Sequence, residues 1–312
     1  MRMAIDILQV LLLILIAPLV RGVVARLKAR IQNRRGASIF RPYSDLAKLF
    51  RKEDMVPSTA SFIFRLAPMA LFAVTVIAAA FFPVLRGSAL LGTTGDFFIL
   101  VYLFALGRFL LMLGAMDGSS SFGGMGASRE ALVSTLAEVP LLLALVALGM
   151  VSHTASIAKM VLWTTGQDFF QLSAVHALAL AAMVLAAIAE TGRIPVDNPT
   201  THLELTMIHE AMILEYSGPS LALIEWASAV KLTGLMALLI GLFFPWGIAA
   251  AFSLPMLILA LVLWIAKLGA LAIALALVEC SVAKLRMYLV PDFLGVASAL
   301  AILAVVFTAL MR

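Results

Sequence analysis

Cysteine occurs once in the 312 residues, as Cys280. One thiol closes no intrachain disulfide. It also cannot hold an iron–sulfur cluster alone, because such clusters take several thiolates. Charge is scarce as well: 12% of residues are Asp, Glu, Lys or Arg, against roughly 25% in soluble domains. Histidine appears four times. His202 and His209 lie two turns apart, outside any HExxH spacing and with no third ligand type arranged beside them, so no metal site is expected. Neither a nucleophile elbow nor a paired-carboxylate frame is present, which removes the hydrolase classes and any catalytic residue of that kind. A net charge of +5 needs no nucleic-acid partner, because its meaning lies in where the charges sit.

Apolar side chains make up 63% of the chain, with a mean hydropathy of +1.11. Runs of ~20 apolar residues recur, each long enough to cross the hydrocarbon core as a helix. Lipid-exposed backbone must satisfy its own hydrogen bonds, and these long unbroken runs do not match alternating barrel strands. The sequence therefore predicts an all-α, polytopic membrane protein, residues 1–312 forming a single integral membrane domain. About eight transmembrane helices are expected, near 4–24, 62–85, 97–116, 130–152, 173–190, 220–246, 254–277 and 290–311. The first is followed by "VRGVVARLKARIQNRR" rather than by a small-residue cleavage site, so it is read as an anchor that stays.

Lys and Arg in short loops set the orientation. The loop after the first span, with the start of the next, carries Arg26, Lys28, Arg30, Arg34, Arg35, Arg41, Lys48, Arg51, Lys52 and Arg65, and is placed in the cytoplasm. Alternation then puts 117–129, 191–219 and 278–289 on the same side, and both termini outside a cell inner membrane. Polar mass is concentrated on that one face, which points to a cytoplasmic partner. Within the first loop, "RPYSDLAKLFRK" spaces Leu46, Leu49 and Phe50 at i, i+3, i+4 and reads as a short interfacial helix. The alternative is a basic stretch that merely touches anionic lipid. "DGSSSFGGMGAS" reads as a permissive Gly/Ser loop, either a hinge or a tight connection.

Ionisable residues inside a span cost about 2.5–3.5 kcal/mol or more, so each implies a pairing or a function. They are Asp6, Arg108, Glu138, Glu225, Lys231 and Lys267, with Glu190 and Glu279 at helix ends where water can reach them. Asp6 reads as a capping or snorkelling group, while Arg108 needs a partner from another helix. Glu225 and Lys231 stand six residues apart and project about 120° away from each other, so each must look to a different neighbour. Two readings follow: paired charges that lock the bundle, or a polar track through the membrane that Lys267 continues.

The stretch "AETGRIPVDNPTTHLELTMIHEAMILEYSG" (189–218) is the large polar loop between spans five and six. Pro195 and Pro199 exclude a continuous helix over 191–199. From Thr200 or Thr201 the pattern predicts a helix ending at Gly218, with Glu204 and Glu215 on one stripe. Their 11-residue separation corresponds to about 16 Å along a helix axis. Carboxylates so crowded are not all ionised at once, which suits them to carry protons.

"AETGRIPVDNP…E…EYSG" resembles the signature loop of the respiratory complex I membrane subunit that joins the peripheral arm to the membrane arm and houses much of the quinone tunnel. "RIQNRRG" with "DLAKLFRKEDMVP" resembles that subunit's first loop, and "SREALVSTLAEVP" its Arg-to-Glu-Val-Pro segment. The complex I form usually has two further acidic residues after the proline that Pro199 matches; Thr200 and His202 stand there instead. "GRIPVDNPTTHLELTMIHEAMILEYSG", "SSSFGGMGASRE", "ALIEWASAVKL" and "KLRMYLVPDFLG" are similar to the formate hydrogenlyase subunit 4 and hydrogenase-4 component C branch, within the group 4 membrane-bound [NiFe] hydrogenases and their relatives.

The resemblance implies a non-catalytic anchor and coupling subunit. Its partners would be peripheral hydrogenase-like large and small subunits, an iron–sulfur subunit and antiporter-like membrane subunits, with lipid around it. The [NiFe] centre and the clusters would belong to those partners, none to this chain alone. Glu138, Glu190, Asp197, Glu204, Glu210, Glu215, Glu225, Lys231, Lys267 and Glu279 become proton-path and coupling candidates. Arg30, Gln32, Arg34, Arg35, Lys52, Glu53, Asp54, Arg129 and Arg193 become partner-docking candidates. The alternative reading is a quinone-binding subunit of a complex I-like oxidoreductase without hydrogenase activity.

Overall fold

A computed structural model describes residues 2–92, 96–166, 174–198, 207–249 and 253–310. In chain order the helices are α1 (Arg2–Ile31), α2 (Arg41–Leu49), α3 (Phe62–Ala79), α4 (Phe97–Asp117), α5 (Ser121–Ser152) and α6 (Ile157–Thr165). They continue as α7 (Ala174–Glu190), α8 (His209–Ile213), α9 (Gly218–Phe243), α10 (Leu254–Ser281) and α11 (Val290–Leu310). Seven of them are long and apolar enough to cross a membrane: α1, α3, α4, α5, α9, α10 and the segment ending in α11. The apolar α7 is shorter, at 17 residues or about 26 Å. This is the helical, multi-pass architecture that hydropathy predicts. Among the described residues the β pairing is one bridge, Asp96 to Ser156.

α9 is the central strut. In its most apolar stretch 83% of residues are buried within the protein, against 22% for α10 and 28% for the α11 segment. It packs on α3, α1 and α10, while α5, α7 and α11 pack together on another flank and α4 joins α3 to α5. The outer faces of α10 and α11 keep Leu259, Val262, Ile302 and Val306 exposed, as helices bordered by lipid do. Prolines stand inside α1, α3 and α5 (Pro18, Pro68, Pro140), as membrane helices tolerate.

Four expectations change. α1 runs to Ile31, so Arg21, Arg26, Lys28 and Arg30 stand on the helix; its last turn is basic, which suits a helix C-terminus. α5 begins at Ser121, so the Gly/Ser stretch is helical and the connection shrinks to Gly118–Ser120. The small residues serve close approach instead: a Cβ at Gly126 would lie 2.9 Å from the Ile208 carbonyl oxygen. The helix expected from Thr200 to Gly218 is broken, because Met207 and Ile208 are non-helical, α8 spans only His209–Ile213, and Gly218 opens α9. Pro199, Thr200, Thr201, His202, Glu204 and Thr206 lie outside the described residues. The helix α6, between α5 and α7, was not foreseen.

The amphipathic α2 is present where the i, i+3, i+4 spacing places it, with none of its residues fully buried. The chain after it is pinned at Gly218, whose φ is +48° and whose Cβ would sit 2.5 Å from the Glu53 carbonyl oxygen. Ser217 Oγ accepts the Met55 backbone N–H at 2.8 Å, and Ser220 donates to Asp54 at 2.5 Å. Only glycine fits both the left-handed backbone and that approach. Gly218→Ala is therefore expected to lower the melting temperature in detergent, the left-handed backbone alone costing about 1–2 kcal/mol. Gly269→Ala, where a Cβ meets nothing within 4 Å, is expected to leave it unchanged. Equal melting of the two variants would refute the assignment.

Candidate charge relay at the α7–α9 junction

α7 ends at Glu190, whose side chain has no exposed surface. Arg108 of α4 donates to one of its oxygens at 2.5 Å, and Lys231 Nζ of α9 lies 2.8 Å from the other. Arg108 also donates to Glu138 of α5. The result is an alternating chain, Glu138–Arg108–Glu190–Lys231, that joins four helices through the interior. Lys231 Nζ additionally lies 5.5 Å from the centre of the Phe104 ring. A cleft of about 690 Å³, counted out to its open mouth, is lined by Arg108, Glu190 and Lys231 together with Glu130 and His209. Glu225 is not part of this chain; it pairs with Arg21 of α1. The divergence of Glu225 and Lys231 read from helical spacing is thus what the structure shows.

A second set of pairs fixes the segment after α7. The fully buried Glu279 of α10 lies 2.6 Å from Lys28 of α1 and accepts from Arg193 at 3.1 Å. Buried Asp197 accepts Lys284 at 2.7 Å, the Asn198 N–H at 2.8 Å and the His209 N–H at 3.1 Å. A backbone bond from Leu285 N to Pro195 O, 2.8 Å, adds to the clamp. Residues 191–198 are therefore irregular in backbone but held from three sides. Below them Met212, Tyr216, Phe64 and Leu111 form a small core in which the Phe64 and Tyr216 rings stack at 4.1 Å.

Several candidates sit differently from expectation. Glu190 and Glu279 were expected within reach of water, but both are buried and ion-paired. Lys267 does not continue the track: it donates to the carbonyls of Phe244 and Trp246, about 20 Å along α9 from Lys231. Glu215 is exposed and Glu210 half-buried. The common stripe for Glu204 and Glu215 loses its basis with the break at Met207–Ile208. Of the docking candidates, Arg30, Gln32, Arg34, Arg35, Lys52, Glu53 and Asp54 are exposed. Arg129 is instead bonded to the Met207 carbonyl at 3.0 Å, and Arg193 to Glu279.

Two groups escaped the sequence reading. Glu130 lines the cleft because α5 starts nine residues earlier than hydropathy suggests, which puts it well inside the helix. Its signal was the quoted "SREALVSTLAEVP" itself, where it precedes Glu138 by just over two turns. Arg21 lies within the predicted first span yet escaped the reading of charges inside spans; its partner Glu225 lies 204 residues away.

A family profile described as NADH dehydrogenase matches residues 4–309. Formate hydrogenlyase subunit 4 of Escherichia coli K12 is 33% identical over 302 residues, 96% of either chain. Hydrogenase-4 component C of the same organism is 32% identical, over 96% of this chain and 93% of that one. NADH-ubiquinone oxidoreductase chain 1 of Triticum aestivum is 30% identical over 73% of each. Among solved structures, a chain of the membrane-bound sulfane sulfur reductase, an archaeal respiratory membrane complex, superposes with a TM-score of 0.83 at 20% identity. That match covers 97% of this chain and 99% of the other, and shows a shared fold.

His209 gives the site a measurable pH signature. Burial holds its pKa down to about 4, with Arg21, Lys231 and Arg193 acting in the same direction and Asp197 opposing them. The unfolded chain, with an ordinary imidazole near 6.5, binds more protons between these values. Its stabilising contribution is thus complete above about pH 6.5 and is lost as pH falls toward 4. Melting temperature in detergent is expected to drop between pH 7 and pH 5, and to drop less in His209→Gln. Parallel pH profiles for the two proteins would show that His209 is not held neutral.

Proposed function

The chain belongs to the NADH dehydrogenase family of membrane subunits, and from that premise we propose that it anchors and couples a group 4 [NiFe]-hydrogenase-type respiratory complex. Formate hydrogenlyase subunit 4 and hydrogenase-4 component C match nearly its whole length at about a third identity. In this reading peripheral hydrogenase-like subunits and an iron–sulfur subunit dock on the cytoplasmic face, and antiporter-like subunits adjoin it in the membrane. The [NiFe] centre and the clusters belong to those partners. The basic end of α1 and the exposed Arg34, Arg35 and Lys52 lie on the cytoplasmic side of the inner membrane by the charge rule, which leaves both termini outside.

The observation that carries the coupling role is the ion-paired chain Glu138–Arg108–Glu190–Lys231, with Glu190 fully buried, beside a cleft that also holds Glu130. Three carboxylates face two cations there. The excess negative charge is neutralised by a proton more readily than by a further ion, which gives the cleft a place to receive and pass one. Residues 191–193 join it to the clamp on Glu279 and Lys28 at the basic end of α1, since Glu190 and Arg193 are separated by only Thr191 and Gly192. Movement of the docked redox module would shift that clamp, and with it the partners of Glu190.

The quinone-reducing alternative predicts a different neighbour: a peripheral subunit without the two CxxC pairs that hold a [NiFe] site. Reading that neighbour's sequence separates the two.

In vesicles holding the assembled complex, Glu130→Gln and Glu138→Gln are each expected to depress redox-driven proton movement by about tenfold or more, as removing a proton-transfer group does. Electron transfer with artificial carriers should persist. Normal proton movement in both variants would leave only the structural role, charges that lock helices together. Docking has its own check. With Cys280 replaced by Ser, a cysteine placed at Arg34 or Lys52 should react with a water-soluble maleimide at least about tenfold more slowly in the complex than in the isolated subunit, as burial by a partner requires. Equal rates would remove these positions from the interface.

A further inference from the structure

Lys267 of α10 has hydrogen bonds but no counter-charge. Its ammonium donates to the Phe244 carbonyl at 2.7 Å and to the Trp246 carbonyl, and lies 5.5 Å from the centre of the Trp246 ring. These bonds use two of its three N–H donors. Among the described residues no carboxylate pairs with it, the interior ones being held by other cations. Lys267 is the fourteenth of the 28 residues of α10, so about 20 Å of helix extends to either side. With a hydrocarbon core about 30 Å thick, it stands near mid-membrane, too deep for a lipid phosphate to reach.

The same lysine heads an apolar groove. Leu271, Ala274 and Val278 follow it on one stripe of α10, at i+4, i+7 and i+11. All three line a cleft of about 550 Å³, counted out to its open mouth. Ala187 of α7 stands on the far side, and Leu235 and Met236 of α9, which touches both α7 and α10, form the floor. Ala270 and Ala274 are exposed beside it, and small side chains there let a second helix approach closely. α10 has room for such a neighbour, since just 22% of its most apolar stretch is buried within the protein.

We propose that a transmembrane helix of another subunit lies along this groove and places a carboxylate on Lys267. An acyl chain would fill the groove but bring no charge to that depth. A small inorganic anion would balance the ammonium but leave the groove open. A membrane helix with one Asp or Glu meets both requirements, and it gains the third N–H of Lys267 as a donor where neither partner has water to turn to. The inference does not rest on the proton path, nor on which redox chemistry the peripheral subunits carry.

The test uses the assembled complex. A benzoylphenylalanine in place of Ala270, irradiated in the native membrane, is expected to form an adduct with one transmembrane segment of another subunit, and that segment should contain an Asp or Glu. Adducts with lipid alone, or with a segment that has no acidic residue, would overturn the proposal. Lys267→Gln should speed release of that subunit in detergent about tenfold, the factor that one interhelical polar contact supplies, and Lys267→Arg should keep release slow. Because Lys267 also satisfies two carbonyls of its own chain, the partner's acid is replaced as well, by its amide. That change leaves this chain intact and should speed release to the same extent, with the double replacement no faster than either single one. Unchanged release in the partner variant, or additive effects in the double, would show that Lys267 only holds the end of α9, and would overturn the docking.

Discussion

A carboxylate removed from water into a protein interior within the membrane is stable only where cations and donors stand ready for it. Moving such an ion unpaired to a low-dielectric medium costs several kcal/mol even after relaxation. Glu190 meets this constraint with Arg108 on one oxygen and Lys231 on the other. The three residues come from α7, α4 and α9, so the pairing requirement fixes how these helices sit relative to one another. Apolar contacts alone would not do so, since lipid tails offer the same surface to every Leu and Val. The register of the central strut α9 therefore depends on where Lys231 must be.

The same rule operates at the polar end of the bundle. Glu279 and Asp197 are buried acceptors, and each gathers cations or N–H groups from parts of the chain far apart in sequence. Glu279 binds α1 to α10 and to Arg193; Asp197 binds the start of α8 to the segment after α10. These contacts order a stretch that its prolines keep from being helical. Helix, loop and charge are parts of one arrangement: α7 delivers Glu190, Gly192 turns the chain with a φ of +57°, and Arg193 is caught at once by Glu279.

Much of this was legible in the sequence, and for identifiable reasons. Long apolar runs gave the spanning helices, because hydrocarbon thickness sets a minimum length. The 120° divergence of Glu225 and Lys231 gave separate partners, since helical geometry is local. A charge inside a span marked Arg108 as needing a partner from another helix, and the partners are Glu138 and Glu190. What was not legible depends on tertiary contact. Glycine and serine over 121–126 read as part of a loop, yet they are helical, and the small Gly126 lets the Ile208 and Ala211 region approach. Glu130 was hidden by that misreading. Lys267 looked like a continuation of the track, and only the backbone carbonyls at the end of α9 reveal what it satisfies.

The charged network also constrains what a coupling element here can be. If the buried charges served only to hold helices together, equal numbers of each sign would suffice, and Glu138, Arg108, Glu190 and Lys231 already provide that balance. Glu130 is the addition that such a lock does not require. It stands in the same cleft, on the helix that carries Glu138. An extra ionisable group beside a balanced cluster is unfavourable for stability. In the proposed relay its presence is accounted for, because there the cluster must change its protonation while the fold stays intact, and that requirement distinguishes a relay from a lock.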